Sequence, residues 1–497
     1  MWKTVADNKI NQLRQRGEHL LQKRPKNVIL FIGDGMSLSS VTAARYLKAH
    51  NQSKSVGDVL LGWEEWPSAG LVRTFCADRM TTDSGTAATA LLGGSKSQFD
   101  TIGVNEKVQC CKCIKIPEED MIKSILLHAQ DNGLSTGLVT STRITHATPA
   151  AAYAATRSRN WEGKVPKNLS GSGECEDIAG QLVRRGLNFN VILGGGSAHF
   201  YQAPGPGTPH SEGSRDDGQN LIQKWIKAQE ERNRKFAVAL NFSEFRRVDT
   251  SATDYLLGLL TPFHMEYDIS RLDQPSLQEM TETAIKILSK NPKGYLLMVE
   301  GGRIDHGHHD NTANLALTET LALEKAVNAA QMQTNSKDTL LAVTADHSHP
   351  FSLQGYATRE KSVLDINDYS NASDSMPFLI AAYANGPGAQ VNKSRSNPGA
   401  EDRFGSVYRQ QALIPLDRST HSPEDVPIYA TGPFSDLFCG TMDNTYVAYA
   451  TMYSLCIGPY QNEAHCAKGN NAKSNGNLVY GPMLITLFSL FIIEWIS

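Results

Sequence analysis

Residues 295–309 read Tyr-Leu-Leu-Met-Val-Glu-Gly-Gly-Arg-Ile-Asp-His-Gly-His-His, and this stretch decides the fold. The apolar run Tyr295–Val299 has the length and continuity of a strand buried on both faces. It ends directly in Glu300 and a segment holding Asp305, His306, His308 and His309. The same grammar recurs along the chain. Asn27-Val-Ile-Leu-Phe-Ile32 runs into Gly33-Asp34-Gly35, and Leu340-Leu-Ala-Val-Thr344 into Ala345-Asp346-His347-Ser348-His349. Leu138-Val139-Thr140 is followed by Thr145-His146-Ala147-Thr148, and Val191-Ile192-Leu193 by three glycines. Helical spacing over Met121–Gln130, closed by Asn132-Gly133, separates two of these strands. Apolar strands alternating with helices predict an α/β chain with a largely parallel sheet covered on both faces. Between about Thr358 and Arg418 the pattern gives way to Asn, Ser, Gly and Pro, which reads as an insertion.

Ligands of open α/β sheets bind at the carboxyl ends of strands, which is where these carboxylates and imidazoles are delivered. Several of them converging from separate strands point to a metal site. Asp305 and His309 stand four apart, so on a helical turn both face one ion. Asp346 and His347 are adjacent, a spacing suited to an ion beyond a strand tip. The nucleophile candidate is Ser84, in Thr-Thr-Asp83-Ser84-Gly85-Thr-Ala-Ala-Thr-Ala, where the alanine-rich run reads as a helix starting at the serine. A helix start offers free N–H groups and a positive dipole end to an anion. Taken alone, the same pattern describes simple N-capping by Asp83 or Ser84. Next to a multi-metal cluster the nucleophile reading is the stronger.

Composition sets the outer limits. The chain has 497 residues, 40% hydrophobic and 20% charged, which excludes wholesale disorder. With 48 basic against 51 acidic residues the net charge is -3, so nothing electrostatic favours nucleic acid. The eight cysteines form no pair of C-x-x-C knuckles, and Cys456 and Cys466, ten apart around Gly458, Pro459 and Asn462, suit a short disulfide loop. Sequons at Asn51, Asn168, Asn241, Asn371 and Asn392 are glycosylation candidates in a secretory context. From Leu478 to Ile493 the chain is almost wholly apolar, and a polar stretch of small residues, 469–476, precedes it. That order is the pattern of a removable GPI signal with its attachment site within Asn470–Gly476, and it implies the extracellular face of the plasma membrane. Residues 1–24 are polar and carry no apolar leader run, so we expect a leader to be missing from this sequence.

Taken together, these blocks resemble the alkaline phosphatase family, specifically its animal, membrane-anchored members. The resemblance rests on Gly33-Asp-Gly-Met36, Asp83-Ser-Gly85, Thr145-His-Ala-Thr-Pro149, Arg157-Ser-Arg-Asn-Trp161, Val299–His309, Thr344–His349 and Thr420-His421. It implies a three-layer α/β/α sandwich with a large, mostly parallel central sheet and an inserted crown-like subdomain near 358–418. It implies a catalytic domain over 25–468, between the polar arm 1–24 and the spacer and tail 469–497. By position, Asp305, His309 and His421 would hold one zinc, and Asp34, Asp346, His347 and Ser84 a second. Asp34, Thr148 and Glu300 would hold magnesium, and Arg159 would grip phosphate. His146, His306 and His349 would lie just behind the ligands. The resemblance further implies phosphate monoesters as substrates, a phosphoserine on Ser84 and a homodimer. It pairs Cys175 with one of Cys110, Cys111 and Cys113. Family members often add calcium in the region matching Leu260–Pro275; with Thr261 and Gln274 there, calcium is not expected.

Two other functions compete. A sulfatase on a related scaffold would need x-Pro-x-Arg after its nucleophile, whereas Gly85-Thr-Ala-Ala follows Ser84. Phosphodiesterases of that scaffold generally use threonine and lack the Arg159 block. An inactive surface glycoprotein would be expected to have lost a nucleophile or ligand, and this chain retains them all.

Overall fold

The computed structural model describes residues 1–16, 24–169, 175–202, 213–391 and 393–467. The GPI-signal reading and Asn392 fall outside the described residues. Among the described residues thirteen strands are formed, in chain order: β1 (Asn27–Gly33), β2 (Ser68–Arg73), β3 (Ser135–Arg143), β4 (Val191–Gly195), β5 (Phe236–Ala239), β6 (Tyr255–Leu259), β7 (Tyr295–Gly301), β8 (Thr339–Ala345), β9 (Phe351–Leu353), β10 (Ala381–Gly386), β11 (Ala412–Pro415), β12 (Val426–Thr431) and β13 (Gly440–Asp443). Ten of them make one sheet in the order β13-β2-β12-β8-β1-β7-β3-β4-β6-β5. From β8 to β5 every neighbouring pair is parallel; β12 runs antiparallel to both β8 and β2. The expected α/β architecture with a mostly parallel central sheet is what forms.

The five apolar runs read from sequence are all strands here. Every residue of β7 and β8 is buried, as is β1 beyond Asn27, so both faces of the sheet centre are covered. Register then sets the site. Gly33 at the end of β1 pairs with Gly301 of β7 and Ala345 of β8, and Glu300 lies opposite Thr140 of β3. Three strands, β1, β7 and β8, therefore end along one line while β3 runs on to Arg143, and Asp34, Glu300 and Asp346 emerge side by side.

One expectation changes in detail. The Met121–Gln130 spacing yields a shorter helix, Ile125–Asp131, because the Ser124 hydroxyl caps it by accepting from Leu127 N–H at 3.2 Å. Met121 instead bridges to Val104. The segment 358–418 supplies β10 and β11, which join β9 in a second, three-stranded sheet.

Cysteines pair as Cys113–Cys175, Cys110–Cys111 and Cys456–Cys466, leaving Cys76 and Cys439 free. Asn51, Asn168, Asn241 and Asn371 are all exposed. No helix among the described residues is long and apolar enough to cross a membrane.

The polar N-terminal segment folds as a helix, Trp2–Arg16, which packs on the Asn444–Leu455 helix and buries Ala6 and Ile10. Trp2 and Phe75 face the ammonium of Lys96, which also donates to Asn444 Oδ1 at 2.7 Å and lies 3.2 Å from Asp443. Burial pulls the Lys96 pKa down from 10.5 to about 8, with Asp443 opposing the shift. Between those two values the unfolded chain binds more protons than the folded one, so this group makes stability rise with pH. We expect wild type to gain about 2 kcal/mol relative to Lys96→Met between pH 7.5 and pH 10, read by chemical denaturation.

Candidate metal centre

The Asp305–His309 pair is built by one short helix, Arg303–His309, that starts directly after β7. Four-residue spacing puts Asp305 Oδ2 3.3 Å from His309 Nε2. His421 arrives from the segment before β12, with Nε2 3.2 Å from His309 Nε2 and 3.3 Å from Asp305 Oδ1. A second group forms beside it: His347 Nε2 is 3.3 Å from Asp34 Oδ1 and 3.4 Å from Asp346 Oδ2. Ser84 Oγ stands 3.2 Å from His347 Nε2 and 3.4 Å from Asp34 Oδ1. A third set joins Asp34, Glu300 and His146, whose donor atoms lie within 4.8 Å of one another.

Backbone carbonyls fix the ring orientations. A carbonyl only accepts, so the Nδ1–H of His309 donates to Ser419 O at 2.5 Å and that of His421 to Thr82 O at 3.0 Å. His347 Nδ1–H likewise donates to Ser348 O at 3.3 Å. In the neutral form of all three rings the Nε2 lone pair is left facing the carboxylates, the arrangement of a metal-ligating histidine. His349 behaves differently: its Nε2–H donates to Asp305 Oδ1 at 2.6 Å.

Electrostatics agree. Burial, then the charges of Asp346, Asp305 and Glu300, pushes Asp34 well above the usual carboxylate range. Burial raises Glu300 and Asp346 as well. Burial would also raise Asp305, yet the neighbouring His309, His349 and His421 rings hold it well below. Burial lowers His347, and pulls His309 down to about 3, so both rings are neutral. His421 is raised: burial opposes its charge, but the Asp305 carboxylate beside it prevails. Asp34 Oδ2, Glu300 Oε1, Asp346 Oδ2 and Thr148 Oγ1 are buried without a hydrogen-bond partner. Crowded acids, neutral imidazoles and orphaned oxygens together are a donor set fitted to cations.

Ser84 begins the Ser84–Gly93 helix, and Asp83 caps it by accepting from Gly85 N–H at 3.0 Å. Both sequence readings of this segment therefore hold at once, with Asp83 capping and Ser84 facing the cluster. Asp83 also accepts from the Arg159 guanidinium at 3.1 Å, which aims Arg159 into the cleft that Ser84 lines. The cleft encloses about 640 Å³. Gly35 has φ +68°, and a Cβ there would lie 2.8 Å from the His349 ring and 3.1 Å from Asp305 Cα, so only glycine fits.

Every candidate site residue is thus brought to one end of the sheet. His308, by contrast, turns into the core, between Ser40 Oγ at 2.8 Å and the Tyr383 hydroxyl at 2.9 Å. Sequence reading missed the outer wall. Arg143 donates two hydrogen bonds to the Glu162 carboxylate, at 2.8 and 2.6 Å, and also contacts His264. His264 lies 4.4 Å from the His306 ring, and His146 lies 5.6 Å from it. Arg143 sits at a strand end, the one signal that could have found it; a single histidine in a loop, such as His264, gave none. Thr261 donates to Phe263 O at 2.8 Å, and Gln274 Oε1 accepts from Glu266 N–H at 2.8 Å, so both spend polar atoms on the backbone.

The sequence profile of the family described as alkaline phosphatase matches residues 25–457. The chain belongs to the alkaline phosphatase family. It is 39% identical over 485 residues to the tissue-nonspecific alkaline phosphatase isozyme of Gallus gallus, covering 96% of this chain and 92% of that protein. It is 36% identical to the membrane-bound alkaline phosphatase of Bombyx mori, covering 92% and 85%. Among solved structures, the alkaline phosphatase of the Antarctic bacterium TAB5 superposes with a TM-score of 0.61 at 23% identity, covering 88% of this chain and 99% of that one. An alkaline phosphatase is a metal-dependent enzyme acting on phosphate monoesters, and the clusters above are its candidate metal sites.

Proposed function

We propose that this chain hydrolyses phosphate monoesters at alkaline pH through a covalent phosphoserine on Ser84, using two zinc ions and one magnesium. The observation that carries the reading is Ser84 Oγ within 3.4 Å of both Asp34 and His347, in the cleft that Arg159 enters. Asp305, His309 and His421 would hold the first zinc. Asp34, Asp346 and His347 would hold the second, beside Ser84. Asp34, Thr148 and Glu300 offer the harder oxygen donors that suit magnesium. When bound, these ions supply positive charge that lowers the Ser84 hydroxyl pKa and stabilises charge on the attacking and leaving oxygens.

Ser84 Oγ gives up its proton and forms a bond to phosphorus as the ester P–O bond breaks, releasing the alcohol. Water then cleaves the phosphoserine, yielding inorganic phosphate and free Ser84. Arg159, held by Asp83, offers two parallel N–H donors to two phosphate oxygens. The positive end of the Ser84–Gly93 helix favours the same anion. His146 and His306 back the magnesium side of the cleft, and His349 steadies Asp305.

Family membership supports a homodimer. So do the exposed apolar residues Phe404, Val407, Leu413 and Ile414 on the 358–418 segment, which a second copy would cover. The sequence of residues 469–497, together with the membrane-bound Bombyx mori relative, supports a GPI anchor on the extracellular face.

The test compares turnover of an aryl phosphate monoester, a diester and a sulfate ester by metal-loaded protein. The monoester should be preferred, at a rate rising into the alkaline range, with two zinc and one magnesium per chain by elemental analysis. Preference for the diester or the sulfate would overturn the reading.

A further inference from the structure

We infer that Asn385 of β10 is a positioning residue for the Asp305–His309–His421 cluster, through which the small sheet sets the affinity for the ion held there. The inference rests on the zinc reading above. Asn385 Oδ1 accepts from Thr420 N–H at 2.9 Å and from the Ser419 hydroxyl at 3.2 Å, while its Nδ2 donates to Thr420 Oγ1 at 3.0 Å. One carboxamide therefore pins both residues that precede His421.

Those residues reach the cluster in two directions. Ser419 O takes the Nδ1–H of His309, which fixes that ring, and Ser419 N–H donates to His309 O at 2.8 Å. The chain then passes through Thr420 to His421. A shift of the Ser419–Thr420 segment would consequently misorient two of the three ligands together, while Asp305 keeps its separate bond from His349. A second link ties the same strand to the metal-bearing helix. Asn311, two residues beyond His309, donates from Nδ2 to the Asn385 carbonyl at 3.2 Å. Asn311 adopts φ +55°, the left-handed region where asparagine is among the better-tolerated residues. The chemistry explains why asparagine stands at 385: aspartate would keep both acceptor bonds but lose the donor, and leucine would lose all three. Groups that orient metal ligands from behind carry a large share of metal affinity, and their removal typically costs about 10–100-fold.

The experiment titrates zinc-loaded protein with a competing chelator and follows zinc release, alongside thermal unfolding, for wild type, Asn385→Leu, Asn385→Asp and Asn367→Leu. Asn367 is the control, since its carboxamide clamps Tyr356 N–H and Ser370 O within the same segment and touches no cluster residue. We expect Asn385→Leu to weaken one zinc equivalent about 10–100-fold and leave the other unchanged. Asn385→Asp should recover most of that loss. Asn367→Leu should lower the melting temperature and leave both zinc affinities as they were. Should Asn385→Leu fail to fold, Asn385→Ala carries the same expectation. Equal weakening of both zincs, unchanged zinc binding, or the same selective loss in Asn367→Leu would overturn the inference. Wild-type protein that takes up no zinc would sink the zinc reading itself, and this inference with it.

Discussion

Ser84→Ala protein is expected to lose kcat/KM for an aryl phosphate by about 10⁴-fold or more, the scale on which removing a covalent nucleophile acts. Its fold should survive. The Ser84 side chain makes no bond that holds the helix start, because Asp83 provides the cap and Thr86 bonds back to Asp83 at 2.7 Å. Alanine is the better helix former, so thermal stability should change little. Phosphate binding should persist as well, through Arg159 and the cations. The decisive measurement pairs steady-state kinetics with acid quenching of labelled substrate: wild type should trap phosphate on the protein and Ser84→Ala should trap none. Retention of activity by the variant would mean that water attacks phosphorus directly.

Asp305→Asn should have the second largest effect. Asp305 is the one carboxylate that His309, His349 and His421 share, at 3.3, 2.6 and 3.3 Å. The amide removes the charge that attracts the cation, and its NH2 group competes with the His349 donor. On the proposed zinc reading, affinity at this cluster should therefore fall by more than about 100-fold, beyond what an outer partner contributes. Activity should fall by about 10³-fold, the equivalent of several kcal/mol of lost charge stabilisation. Saturating zinc should restore part of the activity of Asp305→Asn, whereas no zinc concentration should restore Ser84→Ala. Elemental analysis with an activity titration in zinc separates the two.

The centre of the molecule was legible because its physics is local. Continuous apolar runs such as Asn27–Ile32 and Tyr295–Val299 specify strands buried on both faces, and polar residues at their ends have nowhere to go but the sheet's rim. Four-residue spacing also separated His309 from His308, since adjacent helical residues point about 100° apart and only one can face Asp305. Less was visible where the structure depends on distant partners. β2 reads Ser-Ala-Gly-Leu-Val-Arg and β12 begins Val-Pro, so neither sequence shows a clean apolar period, and each exists because its neighbour in the sheet does. Arg143, Glu162 and His264 become a wall only once three separate segments are folded together. Asn385 carries no motif at all; its meaning lies in Ser419 and Thr420, which only the small sheet brings within reach.

The order of the strands has one consequence for biosynthesis. Asp34 is made well before His421, and β12, which follows His421, inserts between β8 and β2 and joins the β13–β2 edge to the rest of the sheet. A nascent polypeptide can stack its parallel strands as they emerge, but its first cation cage stays open until nearly the last segment has left the ribosome. Completion of that cage is therefore a late event in the protein's maturation, since His421 is placed only when the segment before β12 has folded.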